Sequence, residues 1–392
     1  MLKTAFINQS KMKIVIVGTA FPMRGGIAQF NALLYKYLGA KHDVTMFSFK
    51  RQYPEFLFPG KTQFEQGEPS FKIADEKNEI IVDSVNPINW INVGLKIAKK
   101  KPDLIIFKYW LPFFGPCFTT ISFFAKFFSK AKVLFICDNV IPHEKRFGDK
   151  FFTKLAFSQV NYFIVMSKTV EEDLKKFNKG ILYKLIPHPV YNIFGAKVSK
   201  AEAKEFIAKE YNSDTRNEKV ILFFGYIRRY KGLNYLIDAM PEILKKLKLK
   251  LLVVGEFYEN EKKYLEQIEN LNLKDSVKVI SDFVPDDKIR YFFSASDVVV
   301  LPYVNATQSG IIQIAYYYDK PVIATDVGGL SEVVKNNETG FIIAPESSKS
   351  IGDAVVKFYE DNLEEKFSVN ANSEKKNYSW EKFVSSIESL VV

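Results

Sequence analysis

Residues 297–332 read DVVVLPYVNATQSGIIQIAYYYDKPVIATDVGGLSE, and the order of features in them decides the fold. Val298, Val299, Val300 and Leu301 form a run suited to a strand buried on both faces, and Pro302 ends it. Residues 305–310 (NATQSG) make a polar loop, residues 311–318 an apolar helix and residues 321–325 a second strand. Strand, polar loop, helix and strand make the βαβ unit of a parallel sheet, whose ligands sit where strand turns into helix. Ser309 and Gly310 stand at the helix start, where unpaired backbone N–H groups and the helix dipole favour an anion. Asp326-Val327-Gly328-Gly329 makes a second glycine turn on the same edge. A plain N-cap would also account for Ser309, but two such turns at one edge of a sheet favour a phosphate pocket.

At 392 residues the chain is too long for one ordinary core, and two domains are expected. Its 47% apolar and 26% charged residues exclude wholesale disorder. Cys117 and Cys137 lie in apolar surroundings and read as reduced core thiols of a cytoplasmic protein. Residues 1–11 lack the apolar segment of a secretory signal and are expected to be a dispensable leader. The longest uncharged run, residues 109–125, has 17 residues and contains Pro112 and Pro116, too short and broken to span a membrane. The net charge of +10 is uneven: residues 1–187 carry 28 basic against 15 acidic side chains, residues 188–392 carry 27 against 30. Such a split suits two domains with different partners, the basic one compatible with nucleic acid, an anionic membrane or a pyrophosphate-bearing substrate. Lysine-rich composition without purpose is the plainer explanation.

Upstream, residues 13–17 (KIVIV) form another buried-strand run, followed by a turn with Gly25-Gly26 and a helix over residues 27–38. Paired glycines at a helix start let a ligand approach the backbone. Residues 51–70 are loop-like and hold four aromatics, a candidate flap over a cleft. Strands follow at 103–107, 132–137, 162–165 and 183–186. Between the first two, residues 111–132 (LPFFGPCFTTISFFAKFFSKAK) fit either an interfacial helix with lysines reaching lipid headgroups or a Phe-rich helix packed on the sheet. His143 and Glu144 lie just past the end of a strand, where α/β enzymes keep chemistry. His42 reads as a solvated surface residue and His188, in Pro187-His188-Pro189, as part of a rigid linker.

The pattern then repeats, with strands at 220–224, 251–254, 277–280, 298–301 and 322–325. The expected organisation is an N-terminal Rossmann-like, acceptor-binding domain over 12–187, a hinge over 188–218 and a C-terminal Rossmann-like domain over 219–373. A terminal helix over 374–392 is expected to pack back toward the first domain. Two doubly wound α/β sheets would face a central cleft. In FFGYIRRYKGL (223–233), Gly225 permits the turn, and Arg228 and Lys231 place two cations at the edge that carries Ser309-Gly310. Such a clamp would stabilise charge accumulating on a departing diphosphate. No D-x-D triplet occurs, so no carboxylate pair is present to carry a metal–diphosphate and no obligatory metal is expected; no other cofactor is expected either.

With Gly25-Gly26, FFGYIRRYKGL, VISDFVPDDKIRYFFSASDVVVLPY, PVIATDVGGLSEVV and NNETGFII, the chain resembles family 4 of the nucleotide-sugar glycosyltransferases, which have the GT-B fold. The resemblance implies a retaining transfer of a sugar from a nucleotide-sugar donor to a glycan or polyprenyl-diphosphate-linked acceptor, in bacterial surface polysaccharide synthesis. It implies a cytoplasmic protein, with a peripheral contact to anionic membrane as a further expectation. By position, Arg228 and Lys231 would clamp the diphosphate, and Gly25, Gly26, Gly225, Ser309, Gly310 and Ile311 would border it. Asp282, Phe283 and Val284 would line the base, and His143, with Glu144 beside it, would stand near the donor sugar. Tyr226 departs from the family, where many relatives have arginine. So do Ala306 and Ile314, at positions typically held by two glutamates. Thr307, Gln308 and Ser309 would then meet the sugar, and Gln313 the ribose.

Two other readings compete. A nucleotide-sugar epimerase or a phosphorylase would keep the fold and change the reaction, and the missing glutamates also suit a non-catalytic nucleotide-sugar- or lipid-binding scaffold. Nucleic acid is not an expected partner, because no groove-reading helix or stacking motif accompanies the basic charge.

Overall fold

Buried apolar runs become the strands of two parallel sheets in the computed structural model, which describes residues 11–391 except 56, 57, 59, 66, 143–146, 178 and 179. The expected leader falls, apart from residue 11, outside the described residues. The first sheet holds β1 (Lys13–Gly18), β2 (Asp43–Arg51), β3 (Asn78–Asp83), β4 (Leu104–Tyr109), β5 (Lys132–Cys137), β6 (Tyr162–Val165) and β7 (Leu182–Leu185), in the order β3-β2-β1-β4-β5-β6-β7. The second holds β8 (Lys219–Phe224), β9 (Leu249–Val254), β10 (Val277–Ile280), β11 (Val298–Leu301), β12 (Val322–Thr325) and β13 (Gly340–Ile343), in the order β10-β9-β8-β11-β12-β13. Neighbouring strands run parallel throughout. Strand order reverses at β1/β4 and at β8/β11, and each reversal opens a crevice at the carboxyl ends of the strands.

Helices connect and cover the strands. In the first half they are α1 (Gly26–Gly39), α2 (Pro87–Lys99), α3 (Gly115–Phe127), α4 (Asp149–Phe157), α5 (Lys168–Lys175) and α6 (Lys200–Tyr211). Then come α7 (Leu233–Leu244), α8 (Glu261–Asn270), α9 (Asp286–Ala295), α10 (Gly310–Tyr317), α11 (Leu330–Val333), α12 (Ser348–Glu360), α13 (Glu364–Glu374) and α14 (Trp380–Val391). The fold is thus two doubly wound Rossmann-like domains, as the 297–332 segment and its upstream counterpart predict.

Helix α14 returns to the first domain. Trp380 packs against Phe30 of α1 with ring centroids 5.1 Å apart and donates its Nε1–H to the Val190 carbonyl at 2.9 Å. Glu388 of α14 reaches His42, which corrects the expectation of a solvated histidine: His42 is buried, its Nε2 3.1 Å from Glu388 Oε1. The polar neighbours of His42 in sequence gave no sign of a helix arriving from the far end of the chain. His188 is likewise packed rather than merely linking. Its ring meets Phe30 and Tyr191, Nδ1 donates to the Pro189 carbonyl at 2.7 Å, and burial pushes it down to about 3, so it stays neutral. Cys117 and Cys137 are free and buried.

Helix α3 packs one face inward, as the Phe-rich packed helix expects, and leaves aromatic side chains on the other. Cys117, Phe118, Ile121, Ser122 and Ala125 face the sheet, while Phe123 and Phe127 are 47% and 70% exposed. No helix of the described residues is long and apolar enough to cross a membrane.

Candidate functional site between the domains

The two sheets present their crevices to each other, and two helix starts meet there. Gly25, whose φ of 98° requires glycine, caps the start of α1, and Ser309 caps that of α10; neither start receives a side-chain cap hydrogen bond. One tyrosine ring lies between them. Tyr191, from the stretch linking the sheets, donates its hydroxyl to the Gly26 carbonyl at 3.0 Å. A Cβ on Gly310 would stand 2.9 Å from that same ring. Both positive helix poles therefore point into one small region.

Two cations join them. A Cβ on Gly225 would come within 2.9 Å of Lys231 Nζ and 3.3 Å of Ile311 Cδ1, which places the β8 turn, Lys231 and the first turn of α10 together. Lys231 is buried; burial, helped by the Arg228 charge, brings its amine down to about 7. The Arg228 guanidinium rests 5.0 Å over the Tyr258 ring, and Tyr226 stacks on Tyr258 at 4.6 Å. Tyr226 also faces the first domain, its hydroxyl 3.1 Å from a Cβ position on Gly25.

The loop before α10 is tied across the cleft. Thr307 donates its hydroxyl to Asn139 Oδ1 at 2.5 Å, and Gln308 donates its amide to Asp138 Oδ1 at 2.7 Å. Gln308 Oε1 and Gln313 Oε1 are buried and have no hydrogen-bond partner among the described residues. Such atoms are uncommon in folded chains, and they suit a ligand that brings hydroxyl donors. The second glycine turn supports this loop from behind. A Cβ on Gly328 would lie 1.6 Å from the Ala306 carbonyl oxygen, and the Gly329 N–H donates to the Thr307 carbonyl at 3.1 Å. These glycines allow close packing of two backbones, a different use from the expected phosphate contact.

On the other side of the pocket, Arg24 forms a buried ion pair with Glu256 and lies 4.5 Å over the Phe283 ring. Val284 is buried, whereas the Asp282 side chain is exposed and pairs with Lys61 at 2.9 Å. The 51–70 stretch reaches the second domain: the Lys61 N–H donates to Glu256 Oε1 at 2.6 Å, and Phe58 meets Tyr258 at 5.9 Å. His143 and Glu144 fall outside the described residues. Lys108, Asp138, Tyr191, Arg24 and Glu256 also reach this region, although no sequence motif marks them as site residues. For Lys108 a signal existed, a lone lysine within the apolar strand LIIFKY.

Two doubly wound domains closing on such a cleft define the GT-B architecture. Solved structures share it over nearly the whole chain. Sucrose-phosphate synthase from Thermosynechococcus elongatus matches with a TM-score of 0.74, covering 97% of this chain and 98% of its own at 19% identity. Anabaena HepE, in complex with UDP and glucose, matches with a TM-score of 0.73, covering 96% and 99% at 17% identity. In sequence, residues 203–376, which include the whole second sheet, match the family model described as glycosyl transferases group 1. An uncharacterized glycosyltransferase of Methanocaldococcus jannaschii is 33% identical over 169 residues, 42% of each chain. The matched region thus spans about half the length, or less, of such curated relatives.

Proposed function

We propose that this chain is a glycosyltransferase that takes a sugar from a nucleotide-sugar donor and places it, with retention and without a metal, on a glycan or polyprenyl-diphosphate-linked acceptor. The observation that carries the reading is the meeting of two uncapped helix starts with Lys231 and Arg228. Positive poles and cations fixed in a buried cleft stabilise negative charge without reorganising when it develops. A diphosphate lying across Gly26 and Gly310 would have its bond to the sugar broken there. Its growing charge would be met by Lys231, Arg228 and the backbone N–H groups, and it would help take the acceptor proton. Phe283 and Val284 would border the base, Gln313 would reach the ribose, and Thr307, Gln308 and Ser309 would meet the sugar. The UDP and glucose bound by Anabaena HepE support a nucleotide-sugar in this fold. His143 and Glu144 remain candidates beside the sugar from sequence alone.

The same reading places the protein in the cytoplasm, at the inner face of the membrane, in surface polysaccharide synthesis. The exposed Phe127 and Phe128, beside exposed Lys130 and Lys132, support contact with anionic lipid.

Transfer from a panel of nucleotide-sugars tests the proposal. Arg228→Ala and Lys231→Ala are each expected to lower turnover by roughly 10²–10³, the loss seen when one charge-stabilising group is removed. Near-normal turnover in both variants would remove the clamp from the mechanism. A change in the donor sugar without any acceptor would favour the epimerase, and binding without turnover on any acceptor the scaffold.

A further inference from the structure

The orientation of the Gln308 amide is dictated from the opposite domain. Its nitrogen donates to Asp138 Oδ1 at 2.7 Å, and the same oxygen receives Lys108 Nζ at 2.8 Å. Lys108 is fully enclosed in β4, its ammonium 3.4 Å from the centre of the Phe30 ring and 4.0 Å from Met166 Sδ. A carboxylate only accepts hydrogen bonds, so only the NH₂ end of the amide can face Asp138. The carbonyl end is thereby turned away, and it is this Oε1 that is buried without a partner. A buried acceptor left unpaired is costly, and a ligand hydroxyl would satisfy it.

We propose that Asp138, backed by Lys108, is a positioning residue for donor recognition: it holds the Gln308 amide so that Oε1 accepts a hydrogen bond from one hydroxyl of the donor sugar. The inference rests on the nucleotide-sugar reading of the cleft and deepens it. The ligand class is a sugar with a free hydroxyl at the recognised carbon, and sugars deoxygenated there are rejected. A site built to pair with a hydroxyl discriminates strongly against the analogue that lacks it, because its own polar group is then stranded. Asparagine at 138 would present both a donor and an acceptor, so the Gln308 amide could turn either way and selectivity would fade.

The test uses the full chain and whichever of UDP-glucose, UDP-N-acetylglucosamine and GDP-mannose binds it, together with the monodeoxy analogues of that donor. Wild type is expected to lose up to roughly 10²-fold in kcat/KM on one deoxy analogue, the effect of stranding one buried acceptor. Gln308→Ala is expected to shrink that factor to about threefold or less, and Asp138→Asn to do the same, with affinity for the bare nucleoside diphosphate held within about threefold in both. Because Asp138→Asn leaves Lys108 without its counter-ion, the double variant Lys108→Met/Asp138→Asn removes both charges together and carries the same expectation. Full discrimination in either folded variant overturns the proposal. So does a collapse of diphosphate affinity with discrimination intact, which would make Asp138 a strut of the cleft. If wild type binds none of the three donors, the glycosyltransferase reading itself fails and the proposal falls with it.

Discussion

Lys231 sits at the titration point of its own amine, brought down to about 7 by burial and by the Arg228 charge. In the unfolded chain it would titrate near 10.4, so folding strains the charged form below pH 7, and that cost fades as pH rises toward 10.4. A diphosphate reverses the balance by favouring the protonated amine. Binding should therefore take up a proton, and affinity should fall above pH 7 by as much as tenfold per unit until the bound-state pKa is reached. Calorimetric titration of UDP between pH 7 and 9 measures this. Lys231→Arg, which cannot lose its charge, should flatten the profile; a profile already flat in wild type would mean that Lys231 does not face the diphosphate. The presence of Arg228 and Lys231 near the start of α10 was legible in the sequence, because each follows a buried strand that must end on the same sheet edge. The buried state of Lys231 was not, since it depends on how the Gly225 turn folds over it. Asp138 and Gln308 are likewise 170 positions apart, and no local periodicity announces such a pair.

Elements were legible where local pattern and burial agree. Strands β5, β6, β10, β11 and β12 have the expected limits, because each is a short apolar run closed by polar or turn residues. β3 and β13 are less legible, because both are edge strands and NEIIVD and GFII are each partly exposed, without the continuous buried run of the central strands. Helix α3 shows why one stretch can suggest two readings, since its inner face is buried and its outer face is aromatic. Covering an exposed phenylalanine is worth up to about 1.5–3 kcal/mol, so two on one helix can drive reversible membrane contact when lysines assist. Vesicles containing phosphatidylglycerol should bind the protein at low salt and release it as salt rises. Phe127→Ser/Phe128→Ser should abolish binding with little change in melting temperature. Salt-insensitive binding, or none, would leave that face without a lipid role.

At the scale of the molecule, the domains meet through polar contacts as well as apolar ones. Arg24 pairs with Glu256, Gln29 donates to Asp286 at 2.6 Å, and the Lys168 N–H at the start of α5 donates to Glu332 Oε1 at 3.0 Å. Together with Thr307–Asn139 and Gln308–Asp138, they bring the carboxyl ends of both sheets onto one cleft. The division into two sheets was visible in the repeated strand pattern and in the uneven charge. The cleft between them was expected from that repeat, but the residue pairs that hold the domains together were not, because each pair spans the chain. The central claim is that a diphosphate binds where α1 and α10 begin, held by Arg228 and Lys231. Calorimetric titration of UDP and GDP into wild type and Arg228→Ala/Lys231→Ala tests it most directly. At least one of them should bind wild type saturably, and the double variant should lose roughly 10²–10³ in affinity, as expected for two charge-assisted contacts. Equal affinity in both proteins, or no binding of either nucleotide to wild type, would contradict it.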